Sequence, residues 1–91
     1  MVSGQVSDAE LARVMLALLA ERGAGKTIDP TEVARAVAGP SPDAWGRMMQ
    51  AVRRVAVRLA GEGRLVIYRK GRPADPADFK GVYRLGLPPS G

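Results

Sequence analysis

The chain has 91 residues, 46% of them hydrophobic and 25% charged, with 14 lysines and arginines against 9 acidic residues and a formal net charge of +5. That length builds one domain, near the size at which a single core is just sufficient, and the apolar share is that of a chain that folds. Neither cysteine nor histidine occurs, which removes thiolate nucleophiles, disulfides, imidazole bases and the common zinc ligand sets, so the reading is of a non-enzyme that needs no cofactor.

Met1 to Ser7 lacks a charged start followed by an apolar run, and no apolar stretch is long enough to cross a bilayer, so a cytoplasmic address is expected. Residues 1–6 are read as a flexible start, 7–87 as the domain and 88–91 as a loose tail. The segment Ser7 to Arg22 reads as a helix, because Leu11, Val14, Met15, Leu18 and Leu19 recur at the spacing of one buried stripe. Ser7 and Glu10 form a capping-box pattern at its start, and Gly23 and Gly25 end it. After a brief extended stretch at Lys26 to Ile28, Asp29-Pro30-Thr31-Glu32 starts a second, short helix that turns Val33, Ala34 and Val37 inward. Gly39-Pro40-Ser41-Pro42 stops it, since two prolines break the hydrogen-bond ladder.

Ser41 and Pro42 restart the chain as a third helix expected to run to about Gly61. On a helical wheel Trp45, Met48, Met49, Val52, Val55, Ala56 and Leu59 share one side, while Arg47, Gln50, Arg54 and Arg58 gather on the other with Arg53 at the flank. Arg64 to Lys70 then reads as a strand, with Val82 to Leu85 as its antiparallel partner. The intervening Gly71 to Gly81 is rich in turn formers and too long for a tight hairpin. The expected class is therefore α+β and the expected architecture a winged helix-turn-helix: three helices plus a small antiparallel hairpin wing, with Ile28 adding a short third strand.

The chain also resembles a set of small bacterial winged-helix proteins that form a domain family of unassigned function. The resemblance rests on Lys26 to Arg35, Trp45 to Met49, Val52-Arg53-Arg54, Leu59 to Leu65 and Lys70 to Pro76. It implies fold and compartment and carries no mechanism. Where the family has Gly-Pro before the last strand, this chain has Gly81-Val82.

Charge is unevenly spread. From Met1 to Ala44 four basic residues face six acidic ones, a net −2, whereas the remainder holds ten basic and three acidic residues, a net +7. Such asymmetry points to a polyanion, duplex DNA first, although arginine makes up eleven of the fourteen basic residues, a bias that also accompanies GC-rich coding. In a winged helix the third helix enters the major groove, so Arg47 and Gln50 are the candidates for base edges and Arg54 and Arg58 for phosphates, with Arg53 beside them. Lys70-Gly71-Arg72-Pro73, with Arg69 and Lys80, is the second candidate, for the backbone or the minor groove.

Other features are read structurally. Ala20 to Thr27 imitates a phosphate loop, but a helix precedes it and Pro30 forces a new start, so it reads as a helix-ending turn. Trp45, Met48 and Met49 read as core, and Asp75 and Asp78 as turn caps rather than metal ligands. The function expected is that of a small DNA-binding regulator or accessory factor, with no membrane and no evident small-molecule substrate. The alternative is a protein-interaction module, for which Leu16 and Val57 on exposed sides of their helices offer contacts and the brevity of the chain leaves no room for a separate sensor or dimerisation unit.

Overall fold

The structure, a computed structural model, describes residues 6–89. Most of the flexible start expected over 1–6, and residues 90–91 of the tail, therefore lie outside the described residues. Helix α1 (Asp8–Arg22) begins where Ser7, in an extended conformation, accepts the Glu10 N–H on its Oγ at 3.1 Å. The reciprocal half of the expected capping box is missing: the Glu10 carboxylate turns instead to Arg13 on the next turn, a pairing that a neighbouring cation offers and an uncharged N–H does not match. Leu11, Ala12, Met15 and Leu19 bury one stripe.

Strand β1 (Thr27–Ile28) is followed at once by helix α2 (Pro30–Ala38). The Asp29 carboxylate accepts the Thr31 N–H at 2.9 Å and its hydroxyl at 2.8 Å, while the Glu32 carboxylate accepts the Asp29 N–H at 2.9 Å, so the exposed donors of the first turn are satisfied from both sides. Burial raises the Asp29 pKa, but the two Thr31 bonds and the nearby Arg84 and Arg35 charges outweigh it and the net displacement is downward from 3.8. Asp8 and Glu10 are also held low, chiefly by hydrogen bonds from Arg54 and Arg13. A carboxyl whose folded pKa lies below its unfolded value contributes stability that is complete above the unfolded pKa and is lost as pH falls through the folded one. Thermal stability should thus stay flat from neutrality down to about pH 5 and fall below about pH 4. Asp29→Ala should cost about 1–2 kcal/mol at pH 7 and make that acid loss shallower, which melting curves across pH would check.

The expected third helix is two. Helix α3 (Pro42–Gly46) ends in a turn at Arg47-Met48, closed by the Met48 N–H on the Trp45 carbonyl at 3.0 Å, and helix α4 (Met49–Gly61) starts afresh, making four helices among the described residues. Gly46, the poorest helix former short of proline, sits at the break, and the apolar spacing from Trp45 onward survives a tightened turn, which is why periodicity alone does not reveal it. Trp45, Met48 and Met49 are half-buried and pack against the core from its edge, with the Arg35 guanidinium 5.1 Å from the Trp45 ring centre. Val52, Val55, Ala56 and Leu59 form the buried face of α4.

The sheet has four antiparallel strands in the order β1-β4-β2-β3, with β2 at Val66–Arg69, β3 at Arg72–Pro73 and β4 at Arg84–Gly86. Ile28, Leu85 and Ile67 stand side by side in register, all essentially inaccessible, and so define the face turned to the helices. Both long strands are shorter than expected, and the supposed loop contains a strand: Lys70 and Gly71, at φ 53° and 79°, make a two-residue turn that folds Arg72-Pro73 back on β2. Two consecutive positive φ values are what a tight hairpin with right-handed strand twist requires, and glycine fills the second at no steric cost. Proline is tolerated in β3 because the strand lies at the sheet edge. The segment 74–83 then returns to β4, and the Asp75 carboxylate caps its turn by accepting the Ala77 N–H at 2.9 Å, as expected of that residue. Among the described residues, no helix is long and apolar enough to cross a membrane.

Candidate nucleic-acid interface

Helix α4 presents Gln50, Arg54 and Arg58 at intervals of four, all exposed, on the side opposite its buried face. Arg47 is exposed in the turn before the helix, and from Ala44 through Gly61 the sequence has no acidic residue. Within α4 the apolar residues are buried and these polar ones exposed, but the cations are not equivalent. Arg47 makes no ion pair among the described residues. Arg58 lies 3.9 Å from Glu62 at the helix end, a loose and exposed contact. Arg54 is held by Asp8 at the start of α1, giving Nε to one carboxylate oxygen at 3.2 Å and Nη2 to the other at 2.8 Å. A guanidinium has five N–H donors. Three therefore remain on Arg54, whose side chain is 61% exposed.

Arg53 stands apart. Its Nη2 donates to the Phe79 carbonyl at 2.7 Å, and its guanidinium carbon lies 3.9 Å from the Phe79 ring centre and 5.8 Å from that of Tyr83. Phe79 and Tyr83 meet edge to face at 5.2 Å, so the arginine clasps the return segment of the hairpin to the flank of α4. Burial pushes the Tyr83 hydroxyl pKa up, against a smaller opposing pull from Arg53. Replacing Arg53 by methionine keeps the aliphatic stem and removes both the charge and the donor; it should cost about 1–2 kcal/mol and open the 74–83 segment to proteolysis, read by urea unfolding and limited digestion.

The hairpin cations divide in the same way. Arg69 donates its Nη1 to the Val82 carbonyl at 2.7 Å and so ties β2 to the C-terminal end of the return segment. Lys70, Arg72 and Lys80 are exposed and form no ion pair among the described residues. Of the nine candidates Arg47, Gln50, Arg53, Arg54, Arg58, Arg69, Lys70, Arg72 and Lys80, the fold thus leaves seven at the surface with donors to spare and turns two, Arg53 and Arg69, to bracing the hairpin. The phosphate-loop imitation at Ala20 to Thr27 forms the end of α1, a turn and β1; the strand-loop-helix order that cradles a phosphate is absent there. Among the described residues no cluster of acidic side chains is arranged to hold a metal ion.

The family described as "Protein of unknown function (DUF3253)" matches residues 8–88, from the first residue of α1 to just beyond β4. The chain belongs to that family. Its match takes in every described helix and strand of this DUF3253 chain, so the helices and the hairpin form one family unit. The description gives the family no function, in keeping with the resemblance noted in the sequence. No curated protein matches the chain.

Proposed function

We propose that this DUF3253 chain is a winged-helix protein that binds duplex DNA, as a small regulator or accessory factor, with α4 in the major groove and the β2-β3 hairpin against the adjacent backbone. The element order supports the winged-helix reading: three successive helical segments after β1 and α1, then a hairpin whose sheet also recruits β1. The observation that carries the DNA reading is the exposed Arg47, Gln50, Arg54 and Arg58 surface, free of acidic residues along the chain segment that bears it. Gln50, in the first turn of α4, and Arg47, in the turn before it, are assigned to base edges, where guanine and adenine present the acceptor and donor patterns those side chains match. Arg54 and Arg58 are assigned to phosphates, and Lys70, Arg72 and Lys80 to the backbone beside the hairpin.

The alternative, a protein-interaction module, draws on a shallow groove in which Leu16 lies with Ala9 and Ala12 between the cations Arg13, Arg58 and Arg64. Binding of a random duplex, followed by fluorescence anisotropy at two salt concentrations, separates the readings: DNA binding gives an affinity that falls steeply with salt. No salt-dependent binding favours the protein partner.

A further inference from the structure

Strand alternation turns Thr27, Tyr68 and Arg84 to the face of the sheet away from Ile28, Ile67 and Leu85. There they line a groove of about 700 Å³ with Val82 and Leu87, and the basic residues Lys26, Arg69 and Lys70 complete its walls. Gly86 makes room for the Tyr68 ring: a Cβ at that position would come within 2.8 Å of it, so the missing side chain is what lets the ring pack there. Val82, 79% exposed, adds an apolar edge that nothing in the fold covers.

The groove's charge is one-sided. Among the described residues, no acidic side chain lines it. Lys26 and Lys70 form no ion pair among the described residues, and the Arg69 guanidinium is anchored on a neutral carbonyl, which fixes its position and leaves its charge uncompensated. Arg84 has a carboxylate near, Asp29 at 3.7 Å, while its Nε donates to the Thr27 hydroxyl at 2.7 Å. A concave, mostly apolar site of this size with a few convergent cations is the form small-ligand sites take, and its low-dielectric walls concentrate the field of those cations on whatever enters.

We propose that this groove binds a small amphipathic anion: a flat apolar body laid on Tyr68, Val82 and Leu87, with one carboxylate, sulfonate or phosphate met by Lys26, Arg69 or Lys70. The inference goes beyond the DNA reading. Lys26, Tyr68 and Arg84 have no part in that reading, and the test contains no nucleic acid, so either conclusion can fail alone.

The probe is 8-anilinonaphthalene-1-sulfonate, compared with its neutral counterpart N-phenyl-1-naphthylamine, each titrated by fluorescence into the folded chain. The sulfonate should saturate at one site, weaken as salt is raised, and bind about tenfold more tightly than the neutral compound. Lys26→Glu and Lys70→Glu, both at exposed positions, should each weaken the sulfonate about tenfold and leave the neutral compound unchanged. Arg13→Glu, in the separate groove beside α1, should change nothing. Absence of a saturable sulfonate signal overturns the proposal, as does equal affinity for the two compounds or a sulfonate affinity indifferent to both lysine reversals.

Discussion

Reversing Arg47 and Arg58 together, as Arg47→Glu and Arg58→Glu, is expected to remove duplex binding at physiological salt, with a loss of at least a hundredfold in affinity, because two cations become two anions facing a polyanion. The single alanine variants should separate roles. Arg58→Ala should weaken binding to every sequence alike and reduce the slope of log affinity against log salt by about 0.9, the signature of one phosphate contact. Arg47→Ala should instead erase about 1–3 kcal/mol of preference for a site selected from a random library, with a smaller change in the salt slope. Asp8 supplies a control of opposite sign. It holds two of the five Arg54 donors, so Asp8→Asn should tighten binding while slightly lowering stability in the folded chain. Equal losses on selected and random duplexes from both alanine variants would sink the division into base and phosphate contacts, and no tightening from Asp8→Asn would remove Arg54 from the interface.

The largest effect on stability is expected at Leu59, which is fully buried on α4 among residues contributed by α1, α2 and the sheet. Leu59→Ala removes several methyl and methylene groups and leaves a cavity that helices anchored at both ends cannot close, at about 2–5 kcal/mol. Against a total of about 5–15 kcal/mol for a domain, that is enough to lower Tm by at least about 10 °C and to shift the urea midpoint at unchanged slope. Arg64→Ala, at an exposed position after α4, should stay within about 0.5 kcal/mol. A Leu59→Ala protein as stable as its parent would mean that the core is not closed around α4 as described, and the placement of the arginine surface opposite that core would go with it.

Different parts of the molecule were legible to different degrees. The starts of α1 and α2 could be read because a cap is written in three or four adjacent residues, Ser7 to Glu10 and Asp29 to Glu32, and because proline or glycine bounds each helix. Even there the Glu10 half of the box was lost to Arg13, one turn further on. The break at Arg47-Met48 was hidden, since Trp45, Met48, Met49 and Val52 keep a helical spacing whether or not the turn between them tightens; Gly46 was the one local signal. Strand β3 is not legible in the sequence because Arg72-Pro73 has neither β-branched residues nor alternation, and only the left-handed pair Lys70-Gly71 makes it a strand. The wheel angle puts Arg53 beside the cationic face, but the ring that claims it, Phe79, is 26 residues away.

Caps and periodicity act over three to eight neighbouring positions, so the chain alone shows where helices begin, which side of each is apolar, and that acidic residues are missing from the segment carrying the arginines. How each cation is used depends on which distant segments the fold brings together. Arg54 meets Asp8 across 46 positions and Arg84 meets Thr27 across 57, and the outer groove exists only because Tyr68, Gly86 and Lys26 arrive from three strands or strand ends. A guanidinium reaches several ångströms in any direction from its helix or strand, so its partner is fixed by which distant segment the core brings within reach, and no spacing along the chain encodes that.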